Sequence, residues 1–284
     1  MSISVPSKRF SRLSSATTRV ADGWFQLGRQ TQFYGQTVAN IGHAIRSNYK
    51  EILRLIAQMS LGTGALAVIG GTVVVVGFLT MSTGALIAVQ GYNQLAGVGV
   101  EALTGFASAY VNVRIIAPVT AAIALAATIG AGATAQLGAM RINEEIDALE
   151  VMAVRSIAYL ASTRVIAGLI VVLPLYGIAI LMSFLAARYG TTVIYGQSTG
   201  VYDHYFRTFL RPTDVMWSFF QAVAMSFVIM LIHTFYGFNA RGGPAGVGEA
   251  VGRAVRTSLI ASVFVIVAIA LAVYGQSGGF YLSG

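Results

Sequence analysis

Cysteine is absent from the 284-residue sequence, which excludes a disulfide framework, thiol chemistry and Cys-ligated metal. Charge is scarce as well: Asp, Glu, Lys and Arg make up 10% of the chain, and only 10 residues are acidic. A G-x-x-x-x-G-K-[ST] phosphate loop is missing, so the chain has no nucleotide-hydrolysing site of that type. The first 50 residues are basic and Ser/Thr-rich with no continuous apolar core, which argues against a cleaved signal. What fills the sequence is apolar: 56% hydrophobic residues, 32 glycines and a mean hydropathy of +0.74. That composition describes an integral membrane protein, not a water-soluble domain. The net charge of +8 would suggest nucleic acid for a soluble protein, but here the placement of the basic residues says more than their sum, and no nucleic-acid partner is expected.

Runs free of Asp, Glu, Lys and Arg extend over Leu55–Val100, Ile115–Met140, Val165–Ala187, Val215–Ala240 and Thr257–Gly284. A transmembrane helix needs about 20 mostly apolar residues, and the first run is long enough to include a turn at Gln90-Gly91-Tyr92-Asn93. The sequence therefore predicts an all-α polytopic membrane protein with five spans, at about 61–89, 115–140, 165–187, 215–240 and 257–275. Eight of the 18 basic residues precede position 55, and Arg141, Arg155, Arg164, Arg241, Arg253 and Arg256 follow the second and fourth spans. By the positive-inside rule the N-terminus is cytoplasmic and the C-terminus extracytoplasmic. A basic tail over 1–30 precedes a segment at 31–58 in which Tyr34, Val38, Ile41, Ile45, Tyr49, Ile52 and Ile56 recur every three or four residues. This is the pattern of an amphipathic helix lying on the inner membrane surface.

In the second span, Ala122, Ala126, Gly130, Thr134 and Gly138 stand every four residues, with Ala127, Ala131, Ala135 and Ala139 in a neighbouring row. Small residues in such rows let helix backbones approach closely in lipid, within the chain or at a subunit contact. Gly130 to Ala135 also imitates a dinucleotide fingerprint, but the strand that this motif requires has no place inside a long apolar helix. His233, with Ser226 and Asp214 elsewhere in the fourth span, reads as a hydrogen-bonded helix contact rather than a hydrolase centre. Tyr189, Tyr195, Tyr202, Tyr205, Phe206 and Phe209 make the 188–213 loop aromatic enough for the outer interface or an extracytoplasmic partner.

Four of the ten acids, Glu144, Glu145, Asp147 and Glu150, fall within seven positions of the stretch GAMRINEEIDALEVMAV, residues 138–154. Ile142, Ile146, Leu149 and Ala153 share one arc of a helix there while the acids occupy the rest. A short amphipathic helix at about 142–154 is predicted, capped by Asn143, with acids in its first turn and Arg155 at its end. A membrane-surface helix normally carries basic residues toward anionic lipid, so the opposite sign here suits a basic protein surface. No histidine stands nearby to complete a metal site, and no metal or catalytic residue is assigned.

The block from Ala117-Pro118-Val119 through Gly138 to Val154 resembles the central signature of the MlaE/YrbE permeases. These are the membrane subunits of ABC-type lipid transporters that work with MCE-domain proteins. Tyr236-Gly237-Phe238-Asn239-Ala240, followed by Gly246 to Ser258, is similar to the loop before that family's last span. The resemblance implies a permease domain over 61–275 and makes the acidic segment the coupling helix, which docks into a cytoplasmic ATPase. Arg141, Glu144, Glu145, Asp147 and Glu150 would contact that ATPase, and Ile142, Ile146 and Leu149 would seat the helix. The ATPase would hydrolyse ATP with magnesium, this chain binding no cofactor itself.

Three departures carry a further implication. The chain has Arg114-Ile115-Ile116-Ala117-Pro118 where the family usually has Arg-Glu-Leu-Gly-Pro. It also has Thr128 in place of an Arg and Gln136 in place of a Glu. The missing ionisable residues suggest the B-like chain of an actinobacterial Mce system, paired with a second YrbE-type permease that keeps them. The expected function is passage of a lipid across the bacterial inner membrane; an ion-coupled secondary transporter is the alternative, which would want acids at the midplane and a repeat.

Overall fold

The structure, a computed structural model, describes residues 25, 27–61 and 71–275. The basic tail expected over 1–30 and the first part of the predicted first span lie largely outside these residues. The described chain is almost entirely helical and contains no strand. Three short helices come first: α1 (residues 27–39), α2 (Ile41–Ser47) and α3 (Tyr49–Leu61). Then follow α4 (Gly71–Ala96), α5 (Glu101–Ile142), the short α6 (Glu145–Val151), α7 (Ile157–Ile194), α8 (Thr199–Phe209), α9 (Pro212–Phe238) and α10 (Gly243–Tyr274). Five of them, α4, α5, α7, α9 and α10, are long and apolar enough to cross a membrane.

Half or more of the apolar window is buried in α5, α7 and α9 (56%, 56% and 50%), against 28% in α4 and 22% in α10. The first three therefore form the centre of the bundle and the other two flank it. Val171, Val172, Leu175 and Tyr176 of α7 meet Ala121, Ala124 and Leu125 of α5 and Met225, Ile229 and Met230 of α9 in one core. Along the outer faces of α4 and α10, Val74, Phe78, Ile260, Val263, Phe264 and Leu271 are exposed, which suits contact with lipid and not with water. Gly84 lets the backbone of α4 press on that of α7 at Ser183, where a Cβ would not fit.

The helices run past the expected span limits, and the reason is pairing. Three of the charges that end a run in the sequence, Arg114, Arg164 and Arg188, lie within helices that continue through them and find partners there. Arg114 donates from Nη2 to Asp214 Oδ2 at 2.8 Å and lies 3.8 Å over the Tyr110 ring, joining α5 to α9 with both side chains mostly buried. Arg164 is buried in α7 and donates from Nη1 to the Leu160 carbonyl at 3.0 Å. Arg188 forks onto Asp203 of α8 at 2.9 and 3.0 Å, and its guanidinium holds the Asp203 carboxyl below the usual carboxylate range. At the start of α10, Arg253 pairs with Glu249 at 2.6 Å one turn before the apolar part begins.

The turn expected at Gln90 to Asn93 does not form. Backbone there stays helical, in a π-type segment over Ile87–Gly91, and the chain turns at 97–100 with Gly99 at φ 74. Gly91 packs toward Thr104 and Ala107 and Tyr92 stacks on Tyr195, while Gln90 and Asn93 stay exposed on the continuing helix. A second π-type segment, Ser108–Ile116, precedes Pro118, whose missing N–H and ring favour such a change of register.

The predicted amphipathic helix of 31–58 is divided at Asn40 and Asn48. Phe33, Thr37, Ala44, Ile52, Leu55 and Met59 turn inward, whereas Val38, Ile45 and Tyr49, from the predicted apolar stripe, are exposed. The segment is thus apolar on two sides, one against the bundle and one away from it. Phe33 and Tyr34 fix it to Phe235 of α9 in edge-on contacts at 5.5 and 5.9 Å, and burial pushes the Tyr34 phenol up to about 12.

Candidate functional site

The acidic stretch folds as a short seated helix at one end of the bundle. α5 ends at Ile142, and Glu144 then takes a left-handed conformation (φ 59) that reverses the chain into α6. The cap differs from the sequence expectation: Glu144 occupies the N-cap without a side-chain cap bond, and Asn143 instead reaches Glu145 Oε1 at 3.4 Å. The helix also stops at Val151, short of Arg155. It closes by placing Ala153 in the left-handed region (φ 58), with Ala153 N–H donating to the Glu150 carbonyl and Val154 N–H to the Leu149 carbonyl, both at 3.0 Å. This is the Schellman pattern, in which the left-handed position is usually glycine.

Ile146 is fully buried against Leu137 of α5 and Leu160 of α7, with Met140, Leu149, Tyr159 and Phe238 packed around them. Ile142 is half-buried. Ile146 and Leu149 hold the helix to its own chain. Arg141 Nη1 reaches Asp147 Oδ1 at 2.5 Å, and Ser156 Oγ donates to Glu150 Oε1 at 2.6 Å, so two of the four acids pin the helix to its flanks. Glu144 and Glu145 are exposed and take part in no ion pair among the described residues. The result is a rigid acidic knob, anchored in the layer where α5, α7 and α9 converge.

The row of small residues lies against α9 and α10. Ala122 and Ala126 are buried, and a Cβ on Gly130 would stand 2.7 Å from the His233 ring. Thr134 Oγ1 is 2.7 Å from His233 Nδ1, and Ser258 Oγ of α10 is 3.1 Å from Nε2, so one buried imidazole ties three long helices. Gly138 faces Val247 and Ala240. Ser226 instead reaches the Gly168 carbonyl at 3.4 Å and Asp214 pairs with Arg114; no Ser-His-Asp arrangement assembles. The neighbouring row is outward, with Ala127, Ala135 and Ala139 exposed.

Of the three substituted positions, Ile115 is 54% exposed. Thr128 and Gln136 line one cavity of about 360 Å³ between α3, α4 and α5, together with Gln58 and Thr72. A larger groove of about 690 Å³, bordered by Met81, Leu185, Tyr189 and Val193, opens between α4 and α7 near the other end. There Tyr92 stacks on Tyr195 at 4.4 Å and Phe184 meets Phe206 edge-on at 5.0 Å, so much of the aromatic 188–213 segment is spent on internal packing. Burial raises the Tyr202 phenol to about 12. Gly196-Gln197-Ser198-Thr199-Gly200 matches the letters of a nucleophile elbow. Ser198, however, is an exposed N-cap between two helices, without the strand that this elbow needs. Among the described residues no group of His, Asp and Glu is placed to hold a metal.

Sequence reasoning missed the Arg114–Asp214 tie and a second buried one, in which Asn112 and Ser183 exchange hydrogen bonds at 2.9 and 3.1 Å. Their signal was polarity within otherwise apolar runs, which span-finding treats as an edge or ignores.

The family described as Permease MlaE matches residues 61–272, which takes in the seated acidic helix and every long helix. The chain belongs to the MlaE permease family. It is similar to a probable ABC transporter permease protein of Rickettsia felis, at 29% identity over 82% of this chain and 91% of the relative. A protein of the same description from Rickettsia bellii is 30% identical over 66% and 72%. The chloroplastic protein TRIGALACTOSYLDIACYLGLYCEROL 1 of Arabidopsis thaliana is 27% identical over 61% and 49%. As a member of this ABC permease family the chain is a multi-pass membrane protein, and the family implies ATPase partners.

Proposed function

We propose that this MlaE permease passes a lipid across a bacterial inner membrane, driven by an ABC ATPase that docks on α6. The observation that carries the reading is the seat of α6: Ile146 is fully buried at the junction of α5 and α7 while Glu144 and Glu145 stand outside. A helix held this way transmits a push from a docked subunit into two long helices instead of bending alone. Its acids select a basic surface and fix the register of docking. Arg141, by holding Asp147, and Ile142 and Leu149, by packing beneath, act as supports for that surface. In this orientation α6 and the N-terminus are cytoplasmic and the C-terminus extracytoplasmic, as the basic residues near both ends of α6 favour.

The substrate class and the other partners rest on the family resemblance and on the apolar, glycine-rich walls. An MCE protein on the outer side would continue the lipid path. The second permease would be a YrbE-type sister chain, this one being the B-like member of an actinobacterial Mce pair. Thr128 and Gln136, standing where relatives carry charge, share a cavity and leave it uncharged, which is the reason to expect a partner that supplies ionisable groups.

The test is to tag the chain, purify it gently from its native membrane and identify what accompanies it by mass spectrometry. The reading requires an ABC ATPase, an MCE protein, a second and different permease chain, and bound lipid. A complex with two copies of this chain as its only permease overturns the pairing, and a chain free of any ATPase overturns the coupling.

A further inference from the structure

Val151 and Met152 are 88% and 65% exposed. They do not lie on a spanning helix, where lipid would cover them, but at the end of the acidic helix that faces water in the orientation above. At about 100° per residue, Glu144, Ala148 and Val151 point away from buried Ile146, with Met152 and Glu145 beside them on one flank, all of them exposed. Asp147, on the other flank, and Glu150, nearer the buried side, are already engaged by Arg141 and Ser156. The outward face therefore has two halves: carboxylates at its N-terminal end and two adjacent apolar side chains at its C-terminal end. The turn that presents the apolar pair is fixed by the two backbone bonds that close α6, and by an alanine held in the left-handed region. Backbone strain of this kind concentrates at binding and switch positions.

An exposed apolar pair rimmed by charge marks an interaction site. Insertion into the membrane is a poor match, because the inner leaflet is anionic and would repel Glu144 and Glu145 beside it. Resting on the docking reading above, we propose that Val151 and Met152 are the apolar anchor of the interface and enter a pocket of the ABC ATPase subunit. Glu144 and Glu145 meet basic residues on the rim of that pocket. The anchor is thus distinct from Ile146 and Leu149, which the fold spends on seating the helix.

The experiment uses the full complex in its native membrane. A benzoylphenylalanine photo-crosslinker at position 151 or 152 is expected to give adducts that mass spectrometry identifies as the ABC ATPase subunit. Val151→Asp/Met152→Asp is expected to weaken retention of the ATPase by about ten- to a hundredfold, as loss of two buried apolar contacts implies. Glu144→Lys/Glu145→Lys runs beside it as the test of the docking reading itself. If the charge reversal releases the ATPase while the aspartate pair retains it and positions 151 and 152 give no ATPase adduct, the anchor is wrong and the docking reading stands. If both variants retain the ATPase, the docking reading falls and the anchor with it. Should the aspartate variant fail to fold, the crosslinks on the otherwise native chain decide.

Discussion

Gly130 and His233 occupy each other's space: the ring sits where a β-carbon of residue 130 would be, 2.7 Å from the position that carbon would take. Gly130→Ala should therefore lower stability by about 1–3 kcal/mol, the usual cost of overpacking, read as a lower thermal transition of the purified protein in detergent. Thr134→Val keeps the shape but removes the hydroxyl beside His233 Nδ1, and a loss of about 1 kcal/mol is expected, in keeping with interhelical hydrogen bonds in membranes. The opposite sign is expected at Ala153, where a left-handed φ of 58 is better met by glycine. Ala153→Gly should stabilise the turn by up to about 1 kcal/mol, seen as slower hydrogen exchange at the amides of Ala153 and Val154. The spacing of the small residues was legible in the sequence, since it depends only on helical period. That His233, 99 positions from Thr134, bonds that hydroxyl and fills the gap at Gly130 was not, because nothing local to either residue encodes the partner.

Among the elements, the tie between α5 and α9 is the one most open to test. Arg114 and Asp214 are 14% and 9% exposed at their side chains and meet at 2.8 Å. Removing one partner leaves a mostly buried charge, so Asp214→Leu alone should cost on the order of 3–5 kcal/mol, whereas Arg114→Leu/Asp214→Leu should recover most of that loss. Thermal unfolding of the two variants against wild type measures the difference, and a double variant as unstable as the single would mean that the pair does more than neutralise itself. The same pair explains why element boundaries were the least legible part of the fold. The number and order of the five long helices follow from apolar length alone. Their ends were drawn at Arg114, Arg164 and Arg188 because a sequence shows a charge but not its partner, and each helix runs through those positions. The turn expected at Gln90 to Asn93 has a different origin: Gln90 and Asn93 do face outward, but a helix carries exposed polar residues without ending. At α6 the acids and the apolar arc were readable, but that the arc meets Leu137, Leu160 and Phe238 of its own chain was not.

In the whole molecule, α6 is the shortest of the helices named beyond α3, yet it touches the ends of α5, α7 and α9 through Ile146 and its neighbours. Movement imposed on it has three routes into the spans. Ile146→Asp should therefore do what no outward substitution does: it removes the seat by burying a charge, and the chain should lose folded yield and any bound ATPase together, by size-exclusion profile and co-purification. The central claim is that an ATPase drives this permease through the acidic face of α6. Its most direct test is lipid transfer by the intact complex in proteoliposomes with ATP, comparing wild type with Glu144→Lys/Glu145→Lys at equal amounts of folded chain. The account predicts ATP-dependent transfer in wild type and its loss, together with the ATPase, in the variant. Undiminished ATP-dependent transfer by the variant would contradict it.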